Sequence, residues 1–320
     1  HGYTSELDST LFYGNITPVN KDRKLAITIN TYGEDVESVG YKIRSLEDKS
    51  LIENTEVSGY QVTDNKINVT LNIKNLLDTG KEYALEVVLK TKRHDAVHYY
   101  TRIMYGTDYD LQKKLDFVRD FNACTFDSAR LKDIGGYLET SSVGDNTNYG
   151  KVNINCSLSQ IGWGDLEPYI ESEITPEIIS INDDVAIIRL DYRVGAANDY
   201  SSSDTYNVNE YYRIRQTNSG FYLLNFEREM NQVFDAKNDL TSSAKINLGI
   251  NSSTYVNCTS DEKGIYTYFV NQGSLWCFSS SSQTFTRVFS FRGEETDSVR
   301  EDYDAHNIKI MKIEDNGDAT

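Results

Sequence analysis

Among side chains whose type and spacing could do chemistry, His94 and His98 come first: they stand four apart, as in helical zinc sites. Here the spacing falls at the expected start of a strand, where positions i and i+4 also share a face. No third ligand is near in sequence, so the pair reads as structural or solvent-exposed, and no metal is expected. His1 and His306 stand alone. Asp315-Asn316-Gly317-Asp318 has part of a calcium loop but not its ligand ladder or terminal Glu, and Asn-Gly between strands is a hairpin turn. Gly162-Trp163-Gly164-Asp165 is too short for a phosphate loop and lacks a lysine, so it reads as a turn beneath a buried indole. Trp276 sits mid-strand beside Cys277 and Phe278, where sheet packing is the expectation. Trp163 and Trp276 are the candidate ligand platform, since an indole stacks on sugar wherever its face is exposed. No glycine-flanked serine forms a nucleophile elbow, no catalytic residue is assigned, and no cofactor is expected. A glycosidase pair is a matter of geometry, and 49 acidic side chains offer no way to choose two.

Cys124, Cys156, Cys258 and Cys277 have no CxxC spacing, which excludes a zinc ribbon or thioredoxin motif. Cys258 and Cys277 would lie on strands one and three of a meander. Their Cα atoms should then be about 9–10 Å apart, beyond disulfide reach. Both are expected reduced and buried, while the pairing of Cys124 with Cys156 stays open.

The elements that would position these residues are mostly strands. At 320 residues the chain is long enough for two or three domains. Its 23 tyrosines, 3 prolines and abundant Asn, Ser and Thr suit half-exposed sheets. The net charge is -17, and residues 107–320 carry -15 of it. Nucleic acid is therefore not an expected partner, because phosphate binding needs a basic face. No apolar run of about 18 residues exists, so this segment should not insert into a membrane. The five N-x-S/T sequons, at Asn15, Asn68, Asn155, Asn251 and Asn257, are about what this composition produces by chance.

Residues 11–105 predict about seven short strands, among them Lys24–Asn30, Ser38–Arg44, Lys66–Ile73, Tyr83–Thr91 and Val97–Tyr105. A helix follows, with Leu111, Leu115, Val118, Phe117 and Phe121 forming its apolar stripe and Thr107 and Asp110 imitating a capping box. A second short helix is expected over Asp127–Ile134, stopped by Gly135-Gly136. Four long strands come next, Ile174–Ile181, Val185–Val194, Tyr206–Gln216 and Phe221–Arg228, with a hairpin tip at Gly195–Asp204. Thr254–Cys258, Gly264–Val270, Ser274–Ser279 and Thr284–Arg292 then make a four-stranded meander of propeller-blade size. His306–Ile313 reads as the first strand of another blade, which implies an incomplete propeller.

The segment Leu77-Asp78-Thr79-Gly80-Lys81-Glu82-Tyr83 resembles the tyrosine corner of fibronectin type III and immunoglobulin-like domains, without the proline usual there. That resemblance implies a Tyr83 hydroxyl bonded back to the preceding turn. Tyr41-Lys42-Ile43-Arg44-Ser45-Leu46, Glu210-Tyr211-Tyr212-Arg213-Ile214-Arg215 and Ser274-Leu275-Trp276-Cys277-Phe278 resemble stretches of uncharacterised membrane-anchored surface proteins of Gram-positive clostridia. This second resemblance implies an extracellular, cell-surface setting, with any anchor outside this segment. The expected fold is mostly β and multidomain. An Ig/fibronectin-III-like β-sandwich covers 1–106, an α+β unit 107–250 and a propeller-blade-like meander 251–320. The leading expectation is a non-catalytic binding or scaffolding ectodomain of a bacterial surface protein, with an unknown protein or glycan as partner. A carbohydrate-active enzyme or sugar-binding module, and the ectodomain of an envelope sensor or regulator, are the alternatives.

Overall fold

The computed structural model describes residues 2–63, 65–106, 109–197, 203–237, 241–242, 245–249, 256–290, 307–314 and 317–320. His1, Thr107, residues 198–202 of the expected hairpin tip Gly195–Asp204, Asn251, Thr254, Arg292, His306, Asp315 and Asn316 lie outside them. The described chain is mostly β, with several separate sheets. It falls into two compact units: residues 1–140, 174–190 and 210–227 in the first, and 141–173, 191–209 and 228–320 in the second.

In the first unit, eight strands precede the helix: β1 (Ile16–Val19), β2 (Lys24–Asn30), β3 (Val36–Ser45), β4 (Leu51–Val57), β5 (Gln61–Thr63), β6 (Lys66–Asn72), β7 (Glu82–Thr91) and β8 (Val97–Tyr105). They form a five-stranded sheet, β1-β8-β7-β3-β4, and a three-stranded sheet, β2-β6-β5. Strict alternation explains how the two sheets close on one another. In β6, Ile67, Val69 and Leu71 point inward while the polar residues between them face water. They meet Val39, Tyr41 and Ile43 of β3 and Tyr83, Leu85, Val87 and Leu89 of β7 in one shared core. The turn into β7 is pinned as the corner motif implies, since the Asp78 N–H donates to the Tyr83 hydroxyl oxygen at 2.8 Å.

Helix α1 (Leu111–Thr125) occupies the expected place, but its cap and its buried face differ from expectation. Asp110 is itself the N-cap, in a left-handed conformation at φ 48°, and its side chain caps no backbone N–H. Its carboxylate instead accepts from Lys113 Nζ at 2.8 Å and Gln216 Nε2 at 2.6 Å. Fully buried positions include Val118 and Phe121 but also Lys114, Asn122 and Thr125, while Leu111, Leu115 and Phe117 are only half-buried. Each buried polar group is hydrogen-bonded. Lys114 Nζ donates to the carbonyls of Tyr109, Asn182 and Asp183, and Asn122 Nδ2 donates to Glu210 Oε2 at 2.8 Å. The next element is a 3₁₀ helix, Leu131–Tyr137, which runs through Gly135-Gly136 rather than stopping at them.

β9 (Lys151–Asn153), the one-turn helix α2 (Leu158–Ile161) and β10 (Tyr169–Ile170) precede the long strands β11 (Thr175–Ile181), β12 (Val185–Ala197), β13 (Ser203–Thr217) and β14 (Gly220–Gln232). The sheet order is β10-β12-β13-β14-β9, with β11 against β12. β12 and β13 run further toward the tip than their alternation suggested. A small pair, β15 (Thr241–Ser242) and β16 (Lys245–Ile246), follows.

The meander is present as β17 (Cys258–Ser260), β18 (Tyr266–Asn271), β19 (Ser274–Ser279) and β20 (Thr284–Ser290), each antiparallel to the next. Its two faces are covered by chain from outside it. Phe234 sets its ring 4.8–5.7 Å from Trp276, Phe269 and Phe285. On the Tyr268 side, the Tyr268 hydroxyl donates to the Gly317 carbonyl at 2.6 Å, and burial pushes that phenol up to about 12. The expected strand His306–Ile313 does not form among its described residues. Met311 and Lys312 instead bond back to Thr320, and Ile313 bridges Ala319, so this stretch pairs with residues 319 and 320.

Candidate functional site

All four cysteines are free thiols. Cys258 pairs with Phe269 and Cys277 with Tyr268, and adjacent residues of β18 face opposite ways, so the two thiols lie on opposite faces of the meander. The expectation of burial fails for Cys258, which is exposed because β17 is a short edge strand, while Cys277 is half-buried. Cys124 and Cys156 are buried.

A ligand platform has to present a ring face to solvent, and Trp163 does not. It follows α2 at φ 67° and is 1% exposed. The guanidinium of Arg228, itself fully buried, lies 3.4 Å from its ring centroid. That guanidinium also donates to the carbonyls of Ile161 at 2.9 Å and Gln160 at 3.0 Å. The indole face is thus taken by a cation held from within the fold. Trp276 is half-buried on β19 with Phe234 against it edge-on at 61°.

His94 and His98 do not share a face. His94 is exposed in the loop before β8, and its N–H is fixed by the Thr91 hydroxyl at 3.1 Å. His98 is buried, with Nδ1 2.7 Å from Glu86 Oε1. Among the described residues no cluster of three His, Cys, Asp or Glu side chains is placed to hold a metal ion.

The His98–Glu86 pair belongs to a row of ionisable groups on the outer face of the five-stranded sheet. Register sets Lys42, Glu86 and Tyr100 side by side across β3, β7 and β8. Glu86 is only 1% exposed, and Lys42 Nζ reaches it at 3.2 Å and Glu6 at 2.7 Å. Burial pulls the Lys42 ammonium down, but its bonds to Glu6 and Glu86 outweigh that and hold it above the ordinary lysine range. Gly2–Phe12 lies over this row as a strap. Tyr3 bridges His98, Phe12 stacks on Tyr100 at 4.5 Å, and the Leu7 N–H donates to the Tyr100 hydroxyl at 2.8 Å. Asp8 accepts from Lys49 at 2.7 Å, and that bond, with those from Thr10, lowers its carboxyl to about 2. The buried carboxylate of Glu86 thus keeps Lys42 and His98 within hydrogen-bond distance, as a carboxylate in a low-dielectric site requires.

At one end of the same sandwich, the β3–β4 turn and the connection into β7 leave an open groove of about 340 Å³. Leu46, Ile52 and Tyr83 line its inner part, and Leu76, 55% exposed, stands at the opening. Glu47, Asp48, Asp78 and Glu82 surround it with one lysine, Lys81. Lys81 Nζ lies 3.4 Å from Asp78 and 3.6 Å from Glu47, and these carboxylates, Asp78 first, raise its ammonium above the usual lysine range. Hydrogen bonds from Ser45 and Ser50 hold the Asp48 carboxyl below its ordinary value, so it stays ionised. Glu82 is committed to Arg102 at 2.7 Å.

With this geometry in hand, comparison with known proteins adds no name: no protein-family model matches the chain, and no curated protein is detectably similar to it. The groove and the strap both escaped sequence reasoning. The groove joins turns more than 25 residues apart and has no motif. The strap has no periodicity, and Glu86 reads as an ordinary outward residue of an alternating strand until residues 2–12 cover it.

Proposed function

We propose that this chain is a non-catalytic binding or scaffolding ectodomain of a bacterial surface protein, and that its partner surface is the acidic groove at the end of the sandwich. The observation carrying this reading is the contrast between two sets of charges. Glu86, His98 and Lys42 of the sheet and Glu6 of the strap are spent on one another, whereas Glu47, Asp48 and Asp78 are displayed on short turns between fixed strands. Turns carried by a rigid sheet are where such modules meet partners.

The strand order β1-β8-β7-β3-β4 over β2-β6-β5, with the Tyr83 corner, supports reading residues 1–106 as an Ig/fibronectin-III-like module. The four sequential antiparallel strands β17–β20 support a propeller-blade-like meander. The cell-surface setting rests on the resemblance to clostridial surface proteins. Mild protease shaving of intact cells is the test: peptides of this chain are expected in the released fraction, and their retention until lysis contradicts the proposal. A panel of chromogenic glycosides tests the other half. No turnover is expected, and turnover that co-purifies with the chain contradicts a non-catalytic role.

A further inference from the structure

The groove's lining also indicates what kind of partner it takes, an inference that rests on the binding role just proposed. We propose that it receives a partner segment in which lysine or arginine flanks a branched aliphatic residue. The apolar part has the chemistry for the aliphatic side chain: Tyr83 belongs to the sandwich core and Ile52 packs against it, Leu46 is half-buried beside them, and Leu76 is left mostly in water. An exposed leucine beside half-buried apolar groups gains free energy once a second apolar side chain displaces that water.

The charge at the opening selects the flanking residues. Four carboxylates face one ammonium among the lining groups, and even after Glu82 is assigned to Arg102 three remain against Lys81. Lys81 also shows the geometry within the chain itself, since its ammonium already sits between Glu47 and Asp78 at ion-pair distance. A partner ammonium or guanidinium would meet Asp48, the carboxylate Lys81 does not reach among its ion pairs, and share Glu47 and Asp78 at the solvent-exposed edge. These acids are exposed, so the attraction should act chiefly on association and weaken with salt.

The probe is a short synthetic peptide with lysines on both sides of a leucine, titrated into the isotope-labelled chain while backbone amide shifts are followed. Its control replaces the lysines with glutamates. Shifts confined to residues 45–52 and 76–83 are expected, with affinity falling about tenfold or more in Glu47→Gln/Asp78→Asn and in Leu76→Ser. Absence of shifts, equal response to the control, or shifts scattered over the acidic surface overturns the proposal. Saturable shifts at a different single surface overturn the groove while leaving the binding role intact. Because the substituted side chains are exposed, unchanged spectra of the unliganded variants separate loss of binding from loss of fold.

Discussion

The sandwich and the meander are both antiparallel sheets of alternating residues, yet they solve the problem of their two faces differently. The sandwich encloses its core between two sheets of its own, with Val39, Tyr41, Ile43, Ile67, Leu71 and Leu85 all nearly inaccessible. The outer face of its larger sheet carries Lys42, Glu86, His98 and Arg102 among apolar side chains such as Val88 and Met104, and the strap lies over it. Among the described residues the meander is a single four-stranded sheet. Only Tyr268, Phe269 and Phe278 of its apolar residues are fully buried, and Val288 and Phe289 of β20 stay about half exposed. It relies on Phe234 for one face and on the chain around Gly317 for the other. A self-contained core should open as one cooperative unit, and a borrowed one should open piecemeal.

Equivalent truncations should separate the two regions. Leu85→Ala removes a side chain 1% exposed and is expected to cost about 3 kcal/mol, raising amide exchange across all of β3, β6, β7 and β8 together. Phe234→Ala should cost less, about 2 kcal/mol, because that ring is half-buried. Its effect should be confined to β18–β20 and visible as a red shift of Trp276 emission. Uniform loosening of both sheets by either variant breaks the contrast. Tyr83→Phe keeps the ring and removes only the bond from the Asp78 N–H, so a loss of about 1 kcal/mol is expected, localised to the entry of β7.

The smallest effect is that of acid on the strap. Glu6 and Asp8 both have carboxyls held below their ordinary values, Glu6 by its bond from Lys42 and Asp8 by bonds from Lys49 and Thr10. A depressed carboxyl contributes stability that is fully present above its unfolded value. That contribution is lost as pH falls through the folded one. For Asp8 the window runs from its ordinary value of 3.8 down to about 2. Line broadening of Tyr3 and Phe12 resonances should therefore begin below about pH 4. Broadening that grows instead toward alkaline pH contradicts the assignment of those ion pairs.

Periodicity made much of the β-fold legible, and the unread parts share one physical cause. Lys24–Asn30, Val97–Tyr105 and Ser274–Ser279 stand on their expected limits, the first by its alternation and the other two by their β-branched and aromatic content between turn residues. The Tyr83 bond followed from a local motif. Helix α1 was placed, but its buried face was misread, since Lys114, Asn122 and Thr125 look like a solvent face until β13 supplies Glu210 and the 182–183 turn supplies carbonyls. Glu86 and His98 were hidden in the same way. A buried polar group is recognised by its partner, and those of Glu86 and Asn122 stand 12 and 88 residues away. The groove depends on the spacing of two turns, which no local pattern encodes.

The central claim is that the ionisable groups beneath the strap, on the outer face of the five-stranded sheet, hold the fold and do no chemistry, and Glu86→Gln tests it most directly. A functional carboxylate is held at a cost to stability, so neutralising it leaves the fold equal or firmer. Neutralising a structural one removes one of the two carboxylates that hold Lys42 and changes the hydrogen-bond partner of His98. Native-state hydrogen exchange of the variant should show β7 and β8 amides exchanging about thirtyfold faster, the equivalent of roughly 2 kcal/mol, with the meander unchanged. Exchange that is unaltered or slower in β7 and β8 contradicts the account.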